Sequence, residues 1–387
     1  MERKPQNYFE KLIMKKKNLI VFGTRPEAIK MAPLVLEFLS TSEFETKVCV
    51  TAQHREMLDQ VLDFFEITPD YDLDVMKPNQ NLYSLTATII EGMKPVLEDF
   101  QPDYVYVHGD TTTSMAVGIA GFYSGAKVCH VEAGLRTFDR QYPFPEEFNR
   151  QLTGKIANYH FAPTNLSKEN LLTENTSEKN ILVTGNTVID ALLYGIDKVN
   201  AANFKDDEIE MLKEKLNLEK KIILVTGHRR ENHGEGLLNI CKALKEIALA
   251  NKDVQIIYPV HLNPNVKGPV HELLAGVDNI ILVQPLAYPA FIWLMEKSYL
   301  IITDSGGIQE EAPSLGKPVL VTRTTTERPE AVEEGTVFLV GTDSDKITTE
   351  THKLLNDQEY YNGMSLRHNP YGDGKSTQRI ISYIKEL

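Results

Sequence analysis

The sequence predicts an α/β protein made of two doubly wound domains, on three observations. At about 150 residues per domain, a chain of 387 residues makes two. Short β-branched runs alternate with amphipathic stretches along almost the whole length, the pattern of parallel strands joined by crossover helices. The runs also fall into two comparable sets of six. In the first half they are Leu19–Phe22, Lys47–Thr51, Tyr104–His108, Lys127–Val131, Tyr159–Ala162 and Ile181–Thr184. In the second half they are Ile222–Thr226, Val254–Pro259, Ile280–Val283, Leu300–Thr303, Val319–Val321 and Val337–Val340.

These runs divide the chain. Residues 1–14 read as a disordered N-terminal extension, with Met14 as an alternative start. Residues 15–186 form the N-terminal domain and 187–373 the C-terminal domain. Residues 374–387 form a closing helix expected to pack back on the N-terminal domain. Asn200 to Lys221 is rich in Lys, Asp and Glu and reads as a solvated helix near the junction. Two such sheets are expected to take a ligand in the cleft between them, at the carboxyl ends of their strands.

Composition narrows the partners. There are 41 basic and 54 acidic side chains, a formal net charge of −13, which argues against a general nucleic-acid or anionic-membrane binder. An anionic ligand must therefore meet a local cluster of cations. Hydrophobic residues at 42% supply a core for each domain. No apolar run approaches the ~18 residues of a membrane span, and the basic start is not followed by a signal-peptide core. Cys49, Cys129 and Cys241 stand singly, without C-x-x-C spacing, and read as reduced buried thiols suited to the cytoplasm.

The motifs sit where predicted strands end. The first strand runs into Gly23-Thr24-Arg25-Pro26-Glu27. The glycine allows a tight turn, the proline fits a helix start, and the free N–H groups there attract an anion beside Arg25, with Lys30 one turn on. Read structurally, the same segment is a helix cap. Asp110 follows the strand ending at His108, and Glu132 follows the strand ending at Val131. Glu146 and Glu147 open the next helix after Pro143-Phe144-Pro145. Either glutamate alone serves as a helix-start carboxylate. Three acidic sites converging on one cleft would have their pKa values pushed apart, into one base and one acid near neutral pH.

The second half supplies cations and a cradle. Gly227-His228-Arg229-Arg230-Glu231 closes one strand, and Asp304-Ser305-Gly306-Gly307-Ile308-Gln309-Glu310-Glu311 closes another. The paired glycines let backbone N–H groups approach a diphosphate, and Glu311 is placed to accept from ribose hydroxyls. A Ser-capped helix with an acidic first turn is the structural alternative. It does not require Gly-Gly, which costs helix stability.

Other patterns carry less. No G-x-G-x-x-G occurs, so a nicotinamide cofactor is not expected. Asn369 to Ser376 imitates a P-loop but lacks its first glycine and a preceding strand, and reads as a turn before the last helix. Asp72-Leu73-Asp74 reads as a strand edge or turn. His54, His160, His271, His352 and His368 have no metal-ligand spacing, so neither a metal nor another cofactor is expected.

The five ordered motifs at 23–27, 108–113, 130–136, 227–231 and 304–311, with Glu-Arg-Pro-Glu at 327–330 and Asn-Pro-Tyr-Gly-Asp-Gly at 369–374, resemble the non-hydrolysing UDP-N-acetylglucosamine 2-epimerases. The resemblance runs from about Leu19 to the final helix. It implies a glycosyltransferase-B-like pair of Rossmann-type domains, a cytoplasmic homodimer, and reversible conversion of UDP-N-acetylglucosamine to UDP-N-acetylmannosamine for surface polysaccharide synthesis. It further implies acid/base roles for Asp110, Glu132 and Glu146, with His228 stabilising the departing diphosphate and Arg25 assisting. Ser305, Gly306, Gly307 and Glu311 match the nucleotide-binding segment, and Lys30, Arg136 and Arg229 match substrate-binding positions. Gln53 and Gln80 resemble part of a regulatory second site. Glu56 and Asn79 depart from the Gln and Arg of regulated members, so allosteric activation is not carried over.

The chemistry agrees with the residues. The C2 proton of the sugar lies next to no carbonyl, so simple abstraction leaves a poorly stabilised carbanion. Elimination of UDP from C1 with loss of the C2 proton, then re-addition through a 2-acetamidoglucal, needs carboxylates near the sugar and cations on the diphosphate. A hydrolysing epimerase, a retaining glycosyltransferase of the same fold and a silent nucleotide-sugar sensor are the rival readings.

Overall fold

The computed structural model describes residues 15–52, 55–76 and 80–387. The expectations for residues 1–14, Gln53, His54 and Asn79 lie outside them. The chain forms two compact units. One comprises the residues up to Leu58, Ile67–Phe161 and Asn170–Leu182, and the other Asp59–Glu66, Ala162–Glu169 and Val183–Leu387.

The first unit carries strands β1 (Lys16–Phe22), β2 (Phe44–Val50), β3 (Tyr71–Asp72), β4 (Tyr104–His108), β5 (Lys127–Val131), β6 (Tyr159–Ala162) and β7 (Ile181–Val183). They assemble in the order β3-β2-β1-β4-β5-β6-β7. The second unit carries β8 (Lys221–Thr226), β9 (Val254–Pro259), β10 (Ile280–Val283), β11 (Leu300–Thr303), β12 (Val319–Val321) and β13 (Val337–Leu339), ordered β10-β9-β8-β11-β12-β13. Pairing is parallel wherever a register is described. Continuous apolar strands such as β4 and β11 are buried along their whole length, because helices cover both faces of a parallel sheet.

Seven strands and six replace the expected six and six. The extra one, β3, is a two-residue edge strand, too short to show any alternation. It holds Asp72, one of the two aspartates of the D-x-D pattern. Arg55 pairs with Asp72 at 2.5 Å and approaches Asp74 at 3.9 Å.

In each sheet the chain reverses its winding between two central strands, β1 and β4 in the first and β8 and β11 in the second. The loops leaving these strands are neighbours, where a doubly wound sheet opens a crevice at its carboxyl edge. Gly23, at the end of β1, is required by this closeness. A Cβ there would sit 2.0 Å from Thr51 Oγ1 and 2.7 Å from Thr113 Oγ1. Thr24 caps the helix Arg25–Ser40, and the Glu27 carboxylate answers it by accepting from the Thr24 and Gly23 amides at 2.8 and 3.0 Å. The other Glu27 oxygen accepts from Thr111 Oγ1 at 2.6 Å, which ties the loop after β1 to the loop after β4.

The stretch expected as a solvated helix contains the helix Asp207–Lys215. The final helix is Ser376–Glu386. Its first amides, at Ser376 and Thr377, donate to Asp190 at 3.2 and 2.9 Å, so a carboxylate of the second unit, rather than a phosphate, occupies the end that imitates a P-loop. These bonds, with Arg379 donating to the Thr184 carbonyl at 2.9 Å, hold the helix within the second unit. All three cysteines are free and buried, and burial pushes the Cys49 and Cys241 thiols up to about 12. No helix among the described residues is long and apolar enough to cross a membrane.

Candidate active site

In the first unit the loops carrying Asp110 and Glu132 come together. Glu132 follows β5 with φ +59°, a left-handed conformation that a non-glycine residue adopts at a cost. Its side chain is almost entirely buried. Lys30 Nζ lies 2.7 and 2.8 Å from its two oxygens, and His108 Nε2 lies 2.9 Å from Oε2. Burial pushes this carboxyl up, but Lys30 and His108 outweigh burial and hold it well below the usual carboxylate range. It is therefore an ionised carboxylate held between the Lys30 ammonium and the His108 ring.

Asp110 is a neighbour. A Cβ on Gly109 would lie 3.5 Å from Glu132 Oε2, so the Glu132 carboxylate rests against the residue preceding Asp110. His130 fixes that turn from below, with its ring Nε2 2.7 Å from Gly109 O. Burial holds His130 down at about 3, so the ring is neutral and donates its Nε2–H to that carbonyl. Asp110 Oδ2 accepts from Arg150 at 2.5 Å, and its carbonyl accepts from Asn149 at 3.0 Å. Both partners lie on the helix Glu146–Ile156, which Glu146 opens as a half-buried residue.

Glu146 and Glu147 now separate. Glu147 is fully buried and accepts from the Thr137 and Phe138 amides at 2.9 and 3.1 Å and from Gln151 at 2.7 Å. It holds the loop, and Glu146 is left as the member of the pair with a catalytic candidacy. Arg136 requires a correction. The sequence groups it with the substrate-binding residues, yet its guanidinium is fully buried, meeting Glu174 at 2.6 and 3.0 Å and the Leu135 carbonyl at 2.7 Å. An arginine so engaged supports the β5 loop and has no face to offer an anion. Lys30, also grouped with substrate, is the ion-pair partner of Glu132. Arg25 is half-buried in the first turn of its helix. Gln80 is half-buried beside Asn81, the cap of the helix Leu82–Phe100.

In the second unit the strand-end loops of β8 and β11 meet at Asp304. One oxygen, Oδ2, accepts from the His228 and Arg229 amides at 3.0 and 2.9 Å and from Asn232 at 3.2 Å. The His228 side chain is 53% exposed. Arg229 Nη1 lies 3.5 Å from Glu327.

The helix that follows β11, Gly306–Glu311, is entered from Ser305, whose hydroxyl makes no cap bond, and its first turn holds no acidic residue. The structural alternative of a Ser-capped acidic start is thus not what forms. A Cβ on Gly306 would meet nothing nearer than the Arg229 and Arg328 guanidiniums at 3.9 and 4.0 Å. One on Gly307 would meet nothing nearer than Glu311 Oε2 at 3.8 Å and Ser305 Oγ at 4.0 Å. Those are ordinary contacts, so the protein itself does not demand glycine here. The glycines leave room for something else, lined by cations, a hydroxyl and a carboxylate. Behind them Glu310 is buried, pairing with Arg328 and accepting from Asn186 at 2.9 Å, while Asn369 donates to the Glu310 carbonyl at 2.7 Å. The tail motif thereby braces the cradle.

Sequence reasoning missed His108, Arg150, Asp304 and Arg328. Each lies within or beside a motif, but its partner stands far off in the chain, and no local spacing announces a pairing of that kind. Among the described residues no group of three or more His, Cys, Asp or Glu side chains is arranged to hold a metal ion.

Comparison with known proteins bears on this geometry. The family model described as UDP-N-acetylglucosamine 2-epimerase matches residues 37–385. A UDP-N-acetylglucosamine 2-epimerase of Salmonella typhimurium strain LT2 is 59% identical over 369 residues, covering 95% of this chain and 98% of that protein. Among solved structures, UDP-GlcNAc 2-epimerase from Neisseria meningitidis bound to UDP-GlcNAc is 51% identical, with a TM-score of 0.86 over 96% of this chain and 100% of the other. The enzyme from Methanocaldococcus jannaschii in complex with UDP-GlcNAc and UDP is 33% identical, with a TM-score of 0.77 over 96% and 100%. The two parallel sheets are of the glycosyltransferase-B type. On these matches the chain belongs to the UDP-N-acetylglucosamine 2-epimerase family.

Proposed function

We propose that this protein is a non-hydrolysing epimerase, interconverting UDP-N-acetylglucosamine and UDP-N-acetylmannosamine without a cofactor. The observation that carries the reading is the buried Glu132 carboxylate held by Lys30 and His108 beside the loop of Asp110. It is an arrangement for proton transfer at the sugar that plain binding of a nucleotide-sugar would not need.

In the first step a carboxylate takes the C2 proton, the C2–H electron pair becomes the C1–C2 double bond, and the C1–O bond breaks with its pair leaving on UDP. Protonation of the 2-acetamidoglucal at C2 from the opposite face, with UDP oxygen attacking C1, completes inversion. Asp110, Glu132 and Glu146 share the proton transfers. His228 and Arg25 meet the charge that grows on the diphosphate, where preorganised donors act most strongly. Ser305, Gly306, Gly307 and Arg229 hold the diphosphate, and Glu311 holds the ribose. Lys30 acts through Glu132. The chain works as a cytoplasmic homodimer supplying surface polysaccharide synthesis.

Incubation with UDP-N-acetylglucosamine in deuterated water, followed by NMR, tests this. Deuterium at C2 with UDP still attached is expected. Free N-acetylmannosamine would mark a hydrolysing enzyme, and unchanged substrate would leave transfer to an acceptor or sensing as the function.

A further inference from the structure

We propose that Asp304 is the positioning residue for His228, holding the ring with its Nδ1–H turned to the carboxylate so that Nε2 is the nitrogen that meets the departing diphosphate. This deepens the epimerase reading and rests on it.

The two oxygens of Asp304 are used differently. Oδ2 takes three donors, two of them the amides of His228 and Arg229. Oδ1 is buried and has no hydrogen-bond partner among the described residues. It faces His228 Nδ1 across 3.7 Å, within ion-pair range and longer than a hydrogen bond. A buried carboxylate oxygen without a donor carries its full desolvation penalty. A small rotation of the imidazole supplies the missing donor, and catalytic hydrogen bonds commonly tighten only when substrate is bound. With that bond made, one carboxylate holds both the backbone and the ring of the same residue, and loop and ring move together.

A second element limits the ring. His261, two residues past β9, stacks on His228 with centroids 5.4 Å apart and planes at 20°. Its own Nδ1 accepts from the Asn263 amide at 3.1 Å, which places its proton on Nε2 and anchors it. His228 is thus stacked on one face by His261 and edged at Nδ1 by Asp304, each residue delivered by a different strand end. With Nδ1–H committed to the carboxylate, Nε2 is the nitrogen turned to the diphosphate, and it has a proton to donate when the ring is imidazolium. The carboxylate also stabilises the imidazolium that donates it.

The test reads the proton directly. In protein with 15N-labelled histidine, His228 is expected to show a protonated Nδ1 at neutral pH, either as that tautomer or as imidazolium. A bare Nδ1 with the proton on Nε2 would overturn the proposal, whatever the activity. In Asp304→Asn, the side-chain oxygen replaces Oδ2 toward the three donors, while its NH2 faces the ring and demands a bare Nδ1. The expected result is a switch of tautomer, with kcat reduced at least tenfold and KM within about threefold. Unchanged His228 shifts with kcat within twofold of the parent would sink the assignment. Failure of the unmodified protein to epimerise would instead sink the parent reading, so the two outcomes stay separate.

Discussion

The two units share a strand order through their first six strands yet finish their carboxyl edges differently. At the carboxyl edge of the first sheet, charges are matched inside the protein. Lys30 and His108 enclose Glu132, Arg150 takes Asp110, and Arg136 is consumed by Glu174. At the edge of the second sheet, arginines pair with glutamates as well, but space and a hydrogen-bonding position are left open. His228 is half exposed, Gly306 and Gly307 lack neighbours that would exclude a side chain, and a buried Asp304 oxygen awaits a donor. One topology can thus build either a preset proton-transfer centre or a receptor for an anion. The choice depends on whether the strand-end loops leave space and a hydrogen-bonding position open.

Four experiments bear on that contrast. Glu132→Gln should lower kcat by about a thousandfold, within the span of general acid–base catalysis, while UDP affinity measured by calorimetry stays within threefold. A loss confined to UDP affinity would erase the division of labour between the units.

Two glycines give a structural version of the same test. Gly23→Ala places a Cβ 2.0 Å from Thr51 Oγ1 and should cost about 3 kcal/mol in chemical denaturation, the upper range for overpacking. Wild-type stability in that variant would mean that the loop after β1 is looser than described.

Protonation singles out the first unit. His130 and His160 are buried there and held at about 3 and about 4, mainly by desolvation, below their ordinary 6.5. Between those values and 6.5 the unfolded chain binds protons that the folded chain refuses. Stability therefore falls as pH drops through this window, by roughly 2 kcal/mol for each histidine at pH 5. Thermal melts at pH 7.5 and 5 measure the loss, and hydrogen exchange should locate it in the first unit. A melt unaffected by pH would contradict the buried neutral rings.

The smallest effect belongs to the cradle. Gly306→Ala adds a methyl that meets no atom outside its own helix backbone and chain neighbours nearer than 3.9 Å, so stability should hold or rise slightly, while UDP affinity falls about tenfold, or 1.4 kcal/mol. Unaltered UDP binding would show that the space beside Gly306 is not the diphosphate site.

Much of this was legible in the chain. Tyr104–His108, Lys127–Val131, Tyr159–Ala162 and Leu300–Thr303 were readable as strands to the residue, because a buried parallel strand is a short, mostly apolar run that turn residues punctuate. The edge strand Tyr71–Asp72 was not, since two residues carry no period. Adjacent Glu146 and Glu147 look alike in sequence. Only the Thr137 and Phe138 amides, brought round by the loop, assign Glu147 to structure. Arg136 lies in a recognisable motif, yet Glu174 claims it from 38 residues away.

The alternation of strands and helices, the two-domain plan and the loops that carry chemistry follow from the chain's local pattern, because hydrophobic period, capping and turn preferences act over a few residues. Which charges are spent and which remain to act is set by long-range packing. Lys30 and Glu132 stand 102 residues apart, and His228 and Asp304 stand 76 apart. A pairing at that range is created by strand order, which brings distant loops to one edge, and no local pattern encodes it.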